Sequence, residues 1–114
     1  MENAITGHCH CGQASYTVNG KVIKSSSCDC KGCQKASGTF RVQFVTVSRA
    51  ETSISGKLAE YKADTTAPCD VHGVWCFCPT CGTHLFWKGN QGEELDIFAG
   101  TLDDPSFFTL TVGE

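Results

Sequence analysis

The amino-acid sequence lacks the features of several large protein classes. Its longest apolar runs, QFVTV and LDIFAG, are far shorter than the roughly 20 residues that a membrane-spanning helix needs. No cluster of Lys and Arg exceeds two neighbours and the net charge is −3, so the basic surface of a nucleic-acid-binding module is missing. The start, MENAITGHCHCG, has no basic region followed by an apolar one, as a signal peptide would have. We therefore expect a cytoplasmic protein that binds neither membranes nor nucleic acids.

Cysteine, in contrast, is abundant, with nine residues in a chain of 114. A cysteine-rich chain is either exported with disulfides or kept in a reducing compartment with metals. An odd count would leave one thiol over in a disulfide framework, and the spacings are too short for most disulfides but suit a shared metal. The sequence therefore predicts zinc sites in one small domain, residues 1–114, which gains stability from such cross-links.

Turn residues divide the chain into short runs of alternating polarity, which predict a mostly β fold of short antiparallel sheets. The pair Asn19-Gly20 is a strong hairpin signal and predicts that the runs on either side of it pair with each other. One helical turn or two is predicted at KGCQKAS, ending at Gly38. A last strand is predicted at SFFTLTVG. Alternation within TFRVQFVTVS places four side chains on one face of a strand: Phe40, Val42, Phe44 and Thr46.

The segment CPTCG, from Cys78 to Gly82, has the pattern of a zinc knuckle. A knuckle supplies two ligands, here Cys78 and Cys81, so two more must come from elsewhere. CHCG is the natural partner, because glycines on both sides permit the bend that brings Cys9 and Cys11 to one ion. The four cysteines predict a closed structural site that joins the start of the chain to its last third.

The segment CDCKGC offers three candidate ligands within six residues, Cys28, Cys30 and Cys33. A site with three protein ligands keeps a position for water or substrate, which is typical of catalytic zinc. The alternative is a fourth protein ligand, for which the spare candidates are His10, Cys69, His72, Cys76 and His84. Taken alone, Cys69 in TTAPCDVHG is interpreted as incidental and Cys76 in GVWCFC as a packed thiol.

The order C-x-C, C-x-C-x-x-C, C-x-x-C-G-T resembles the glutathione-dependent formaldehyde-activating enzyme family, which includes centromere-protein-V-like domains. Four stretches carry the resemblance: GHCHCGQASY, CDCKGCQKASGTF, FCPTCGTHLFW and FAGTLDDPS. Cys69 and Cys76 depart from the family pattern, which does not require them.

The resemblance implies a mostly β fold around two zinc ions. One ion is structural, held by Cys9, Cys11, Cys78 and Cys81, and the other is catalytic and more labile, held by Cys28, Cys30 and Cys33. It also implies a carbon–sulfur lyase that joins glutathione to formaldehyde as S-hydroxymethylglutathione.

Zinc deprotonates a coordinated thiol, so an open position on the second ion would activate the sulfur of glutathione or of a glutathione adduct. The thiolates leave such a site net negative, so positive neighbours are expected. We interpret Lys31 and Lys35 as groups that bind glutathione, with solvated surface charge as the alternative. A non-catalytic zinc- or glutathione-binding module is the alternative function, and a fourth protein ligand on the second zinc would favour it.

Overall fold

The computed structural model describes residues 4–63, 65–71, 73–89 and 92–109. Within these residues, nine strands form two antiparallel sheets, with the orders β1-β2-β5 and β3-β4-β9-β8-β7-β6. The strands are β1 (Ile5–His8), β2 (Ser15–Val18), β3 (Lys24–Cys28), β4 (Val42–Ser48), β5 (Thr52–Ser55), β6 (Ala59–Tyr61), β7 (Gly73–Phe77), β8 (His84–Gly89) and β9 (Glu94–Phe98). The α-helices are α1 (Lys31–Ser37) and α2 (Pro68–Val71). The prediction of a mostly β fold is confirmed.

Two hydrophobic cores lie on opposite faces of the six-stranded sheet. The larger core fills the space between the sheets and includes Ile5 and Val18 from the small sheet and Ile97 from the large one. The smaller core is covered by the two helices and includes Trp75 and Phe98. Because neighbouring residues of a strand point to opposite faces, Ile97 and Phe98 serve different cores.

Strand β4 contributes to both cores. Val45 and Val47 pack into the larger core, whereas Val42 and Phe44 pack into the smaller one. The expected face is thus found from Val42 onward, but the prediction that Phe40 shares it is wrong. The strand begins at Val42, and Phe40 lies before it with 88% of its surface exposed.

The predicted hairpin at Asn19-Gly20 is wrong. Strand β2 pairs with β1 and β5, whereas β3 pairs with β4 in the other sheet. The chain crosses between the sheets here: Asn19 N–H donates to the Glu51 carbonyl over 2.9 Å, and Ile23 N–H to the Thr46 carbonyl over 2.8 Å. Tertiary partners therefore override the local turn signal.

The predicted helix is confirmed as α1, which covers KGCQKAS. Gly38 ends it in the left-handed region with φ of 76°, and its N–H donates to the Gln34 carbonyl. Glycine fits this position because it carries no Cβ to strain a positive φ. A second helix, α2, was not predicted.

The last predicted strand begins instead as a 3-10 turn at Pro105–Phe107, where the Asp104 carboxylate accepts a hydrogen bond from Ser106 N–H. The rest of that run, from residue 110 onward, lies outside the described residues. Within the described chain, no helix has the length and hydropathy of a membrane span.

Candidate metal centres

Eight of the nine cysteines converge in two groups of four. The first group consists of Cys9, Cys11, Cys78 and Cys81, and the second of Cys28, Cys30, Cys33 and Cys69. Within each group all the sulfurs lie within 4.8 Å of one another. Four adjacent thiols are the donor set of a closed tetrahedral zinc site.

The first group has the sulfur spacing that zinc requires. The sulfur of Cys11 lies 3.6 Å from that of Cys9 and 3.8 Å from that of Cys78. A tetrahedral ion with Zn–S bonds of about 2.3 Å would set its sulfurs about 3.8 Å apart. The structure therefore brings together the four residues expected to hold structural zinc, and their ligation remains a prediction.

Two similar loops present these sulfurs. In one, Gly12 N–H donates to the Cys9 carbonyl over 3.0 Å, and in the other Gly82 N–H donates to the Cys78 carbonyl over 2.9 Å. Both glycines have positive φ, 84° and 82°. Each tight turn aims two cysteines of one short segment at the same point.

Hydrogen bonds to two sulfurs of the first group, those of Cys78 and Cys81, favour their thiolate forms. The Gln13 side-chain amide and Thr80 N–H donate to the Cys78 sulfur over 3.2 and 3.3 Å. The Thr83 hydroxyl lies 3.2 Å from the Cys81 sulfur. Hydrogen bonds from this hydroxyl, from the Thr83 backbone and from Cys11 together lower the pKa of Cys81 to about 5. Donors that stabilise the charged form of sulfur also stabilise its metal-bound form.

Three of the four cysteines of the second group lie in one short segment, at the end of β3 and the start of α1. Cys28 ends β3, Cys30 is the N-cap of α1, and Cys33 lies within that helix, fully buried. Cys33 N–H donates to the Cys30 sulfur over 3.4 Å. Entry into the helix thus bends CDCKGC so that its three sulfurs lie close together, and their binding of a metal ion stays a prediction.

Cys69 is not incidental, and the interpretation of it as an isolated turn cysteine is wrong. Its sulfur lies 3.7 Å from that of Cys28, 3.3 Å from that of Cys30 and 3.4 Å from that of Cys33. These distances lie at or somewhat below the spacing of about 3.8 Å that a tetrahedral zinc ion sets between its sulfurs. The second group therefore offers four thiols, whereas the sequence predicted three and an open position.

The short helix α2 is held by buried hydrogen bonds that position Cys69. The Asp70 carboxylate, 5% exposed, accepts from Trp75 Nε1 over 3.0 Å and from the Thr65 hydroxyl over 2.6 Å. Trp87 Nε1 donates to the Cys69 carbonyl over 3.1 Å. Side chains from two strands of the sheet thereby fix the backbone that carries the fourth sulfur.

A sequence signal for this helix does exist. Pro68 is its first residue and Asp70 lies in its first turn. Proline at the first helical position and an acidic residue in the first turn are typical of helix starts. The segment PCDV is short, however, and nothing local shows that it packs beside CDCKGC.

The pKa values of three thiols in the second group are shifted in different directions. Burial raises the pKa of Cys69 to about 12 and raises that of Cys33 as well. Burial also acts to raise the pKa of Cys30, but hydrogen bonds from Cys33 N–H and the neighbouring thiols outweigh it and lower the pKa to about 7. Since metal binding must release thiol protons, acidification should weaken it.

A cavity of about 480 Å³ lies between α1 and the segment leading into α2. Lys31 and Lys35 line it, together with Gly32, Pro68 and Asp70. These residues neighbour three of the four cysteines in sequence. Both lysine side chains are exposed, and their assignment to glutathione remains a prediction.

A larger cavity of about 690 Å³ is lined by two of the spare ligand candidates, His10 and His84, and by Arg41. Arg41 pairs with the exposed Asp29 over 3.3 Å. His84 stacks on Phe77 with ring centroids 5.6 Å apart, and burial lowers its pKa. Neither histidine belongs to a cysteine group.

The other spare ligand candidates are placed differently. Cys76 is packed in the larger core with 3% of its surface exposed and belongs to neither group, as the sequence predicted. His72 lies outside the described residues. Cys69 alone therefore joins the second group among the described candidates.

Comparisons with known proteins point to one family. A family model described as glutathione-dependent formaldehyde-activating enzyme matches residues 4–112. The crystal structure of a Rhodobacter sphaeroides protein, a structural genomics target, superposes with a TM-score of 0.66 at 23% identity, covering 86% of this chain and 87% of that one. At that identity the likeness extends to the fold. No protein with a curated description matches the sequence significantly.

Proposed function

The chain belongs to the glutathione-dependent formaldehyde-activating enzyme family, and from this premise we propose that it is a carbon–sulfur lyase that joins glutathione to formaldehyde. The reaction would take place at Cys28, Cys30 and Cys33, forming S-hydroxymethylglutathione. The observation that carries the proposal is the convergence of these three sulfurs beside a cavity that Lys31 and Lys35 line.

The donor set fits zinc, because four thiols lie within 4.8 Å of one another, and four thiolates are a usual ligand set of tetrahedral zinc. When bound there, zinc would hold the glutathione sulfur as a thiolate, the nucleophilic form. The chain's own contribution is to fix the ligands: the Cys33 N–H orients the Cys30 sulfur, and α1 keeps Cys33 buried.

Lys31 and Lys35 are proposed to bind the carboxylates of glutathione. Both line the smaller cavity, and both counter the negative charge of a thiolate cluster. A lysine ammonium is a flexible point charge, so these contacts would supply affinity more than geometry. The first group would hold the structural zinc, and the second a more labile one.

We also propose a reducing compartment, such as the cytoplasm, as the site of action. Eight thiols are arranged at metal-ligand distances, and such clusters persist where thiols stay reduced.

One observation favours a second function. Cys69 offers the second group a fourth protein thiol, and a closed four-thiolate site is typical of structural zinc. The alternative is therefore a zinc-binding module that does not catalyse the reaction.

The rate of S-hydroxymethylglutathione formation separates the two functions. Exchange NMR spectroscopy on glutathione and formaldehyde, with and without zinc-loaded protein, measures the increase over the spontaneous reaction. We expect a clear increase for the wild type and for Cys76→Ser, and the spontaneous rate for Cys30→Ser. A wild-type protein that adds nothing to the spontaneous rate would favour the non-catalytic module.

The lysine assignment has its own control. Lys31→Gln and Lys35→Gln should raise the glutathione KM, since each removes a positive charge from the cavity. Lys21→Gln removes an exposed lysine from elsewhere on the surface and should leave KM unchanged. Equal KM values in all three variants would show that Lys31 and Lys35 are solvated surface residues that do not bind glutathione.

A further inference from the structure

We propose that Cys69 is the fourth ligand of the second metal site and is the ligand that a substrate thiol replaces. The ligation rests on the geometry of the second group, and the replacement rests in addition on the proposed function. The two parts are tested by separate measurements below.

The ligation follows from the sulfur positions. Cys69 Sγ lies within 3.3 to 3.7 Å of all three sulfurs of CDCKGC. A thiol placed by chance beside three others would have no reason to contact all of them. Contact with every member of the set is the relation that the fourth vertex of a tetrahedron has to the other three.

The backbone around Cys69 is built to hold this position. Its carbonyl accepts from Trp87, and the next residue, Asp70, is buried and accepts from Trp75. Gly32, between two of the other ligands, packs against the same carboxylate: a Cβ at Gly32 would lie 3.0 Å from Asp70 Oδ1. The helix α2, which carries Cys69, therefore packs closely against the start of α1, which lies among the other three cysteines.

Among the four ligands, Cys69 is the one best placed to leave. Cys33 is fully buried inside α1, Cys28 is paired in the sheet with Val42, and the Cys30 sulfur accepts an N–H hydrogen bond. Cys69 lies on a four-residue helix outside both sheets and, like Cys28 and Cys30, is partly exposed. A change of its χ1 rotamer would move the sulfur by about 3 Å while the anchored backbone stays in place.

Cys69 also lies next in sequence to residues of the cavity where glutathione is proposed to bind. Pro68 and Asp70, its two neighbours, line the cavity that contains Lys31 and Lys35. A thiol arriving with its carboxylates on these lysines would reach the group beside Cys69.

Exchange of one thiolate for another keeps the charge of the cluster constant, whereas an added thiolate would make it more negative. In the exchange the incoming thiol gives up its proton, and the Cys69 thiolate takes one up as it leaves. One sulfur–metal bond would break and one would form, so no oxidant or reductant would be needed.

Cobalt substitution tests the ligation without reference to activity. The intensity of thiolate-to-cobalt charge transfer scales with the number of bound thiolates. Loaded at both groups, the wild type has eight, so Cys69→Ser and Cys69→Ala should each lose about one-eighth of the intensity. Cys76→Ser, which removes a thiol outside both groups, should lose none. Unchanged intensity in both Cys69 variants would overturn the ligation.

Alkylation tests the replacement on the wild-type protein, so it does not depend on a variant that folds. In the zinc-loaded chain, iodoacetamide should leave Cys69 unmodified, and saturating glutathione should make Cys69 reactive while Cys28, Cys30 and Cys33 stay protected. Cys69 that remains protected at saturating glutathione would overturn the replacement. If Cys69 is released but S-hydroxymethylglutathione forms at the spontaneous rate, the proposed function fails and this inference stands.

Discussion

Trp75 Nε1 donates a 3.0 Å hydrogen bond to Asp70 Oδ1, and both side chains are buried. This contact links Trp75, a residue of β7 in the smaller core, to α2, the helix that carries Cys69. The Trp75–Asp70 pair thus helps to position the fourth sulfur of the second group, although neither residue belongs to that group.

Removal of the Asp70 carboxylate should therefore affect stability and metal binding together. Asp70→Ala leaves the Trp75 indole N–H buried without an acceptor, which costs about 1–3 kcal/mol of the free energy of unfolding. Urea denaturation measures that loss, and competition with a chelator measures the weaker second metal. Asp70→Asn keeps an oxygen that can accept from Trp75 and should lose less of both. Wild-type metal affinity in Asp70→Ala would show that α2 is not fixed by this contact.

A methyl group at Gly32, on α1, should disturb the packing of α1 against Asp70 of α2. Gly32→Ala places a Cβ 3.0 to 3.2 Å from the three atoms of the Asp70 carboxylate group, closer than most packed Cβ atoms, so α2 must shift. We expect weaker metal binding at the second group and unchanged binding at the first. Gly100→Ala is the matched control, because a Cβ there has no atom within 4 Å. Equal chelator competition curves for the two variants would contradict the tight packing of α1 on α2.

The first group should act as a structural cross-link. Structural zinc sites contribute on the order of 10 kcal/mol to folding, comparable to the whole stability of about 5–15 kcal/mol of a typical domain. Cys78→Ser should therefore yield an unfolded or strongly destabilised chain in circular dichroism and thermal melting. Cys76→Ser should lose far less and should keep both metals. A Cys78→Ser protein that melts within a few degrees of the wild type would contradict the closed site.

Asp96 gives a pH dependence that does not involve the metals. Burial raises the pKa of its carboxyl in the folded protein, although the Thr46 hydroxyl, 2.6 Å away, acts to lower it. The folded chain then binds this proton more tightly than the unfolded chain does. The free energy of unfolding therefore falls as the pH rises through the raised pKa.

Asp96→Asn should accordingly raise the melting temperature at neutral pH, because the amide carries no charge to bury and its oxygen can still accept from Thr46. The gain should shrink as the pH falls toward about 3.9, the ordinary pKa of Asp. Melting curves of both proteins across this range measure the difference. A gain that is constant with pH would exclude the buried charge as its cause.

Local signals predicted much of this molecule. The helix α1 and its end at Gly38 follow from residues that are adjacent in the chain, and the two loops of the first group follow from short cysteine spacings with glycine. The family pattern fixed the order of these parts. All of them depend on contacts within a few residues.

Contacts between distant segments were harder to predict. The hairpin at Asn19-Gly20 failed because Asn19 bonds to Glu51, a partner that no local pattern reveals. Cys69 was misinterpreted for the same reason: its place beside Cys30 depends on Asp70 and Trp75, which are remote from CDCKGC in sequence. With Cys69 included, the second group closes a loop of chain from Cys33, so its loss should cost more stability than that of a purely local site.

Native mass spectrometry of the wild type and of Cys33→Ser tests most directly the central claim, that the two cysteine groups hold two zinc ions with different roles. The account predicts two zinc ions per chain in the wild type, and one in a Cys33→Ser chain that keeps the charge-state distribution of a folded protein. A wild type with one zinc ion or none, or a Cys33→Ser chain that is unfolded and metal-free like Cys81→Ser, would contradict it.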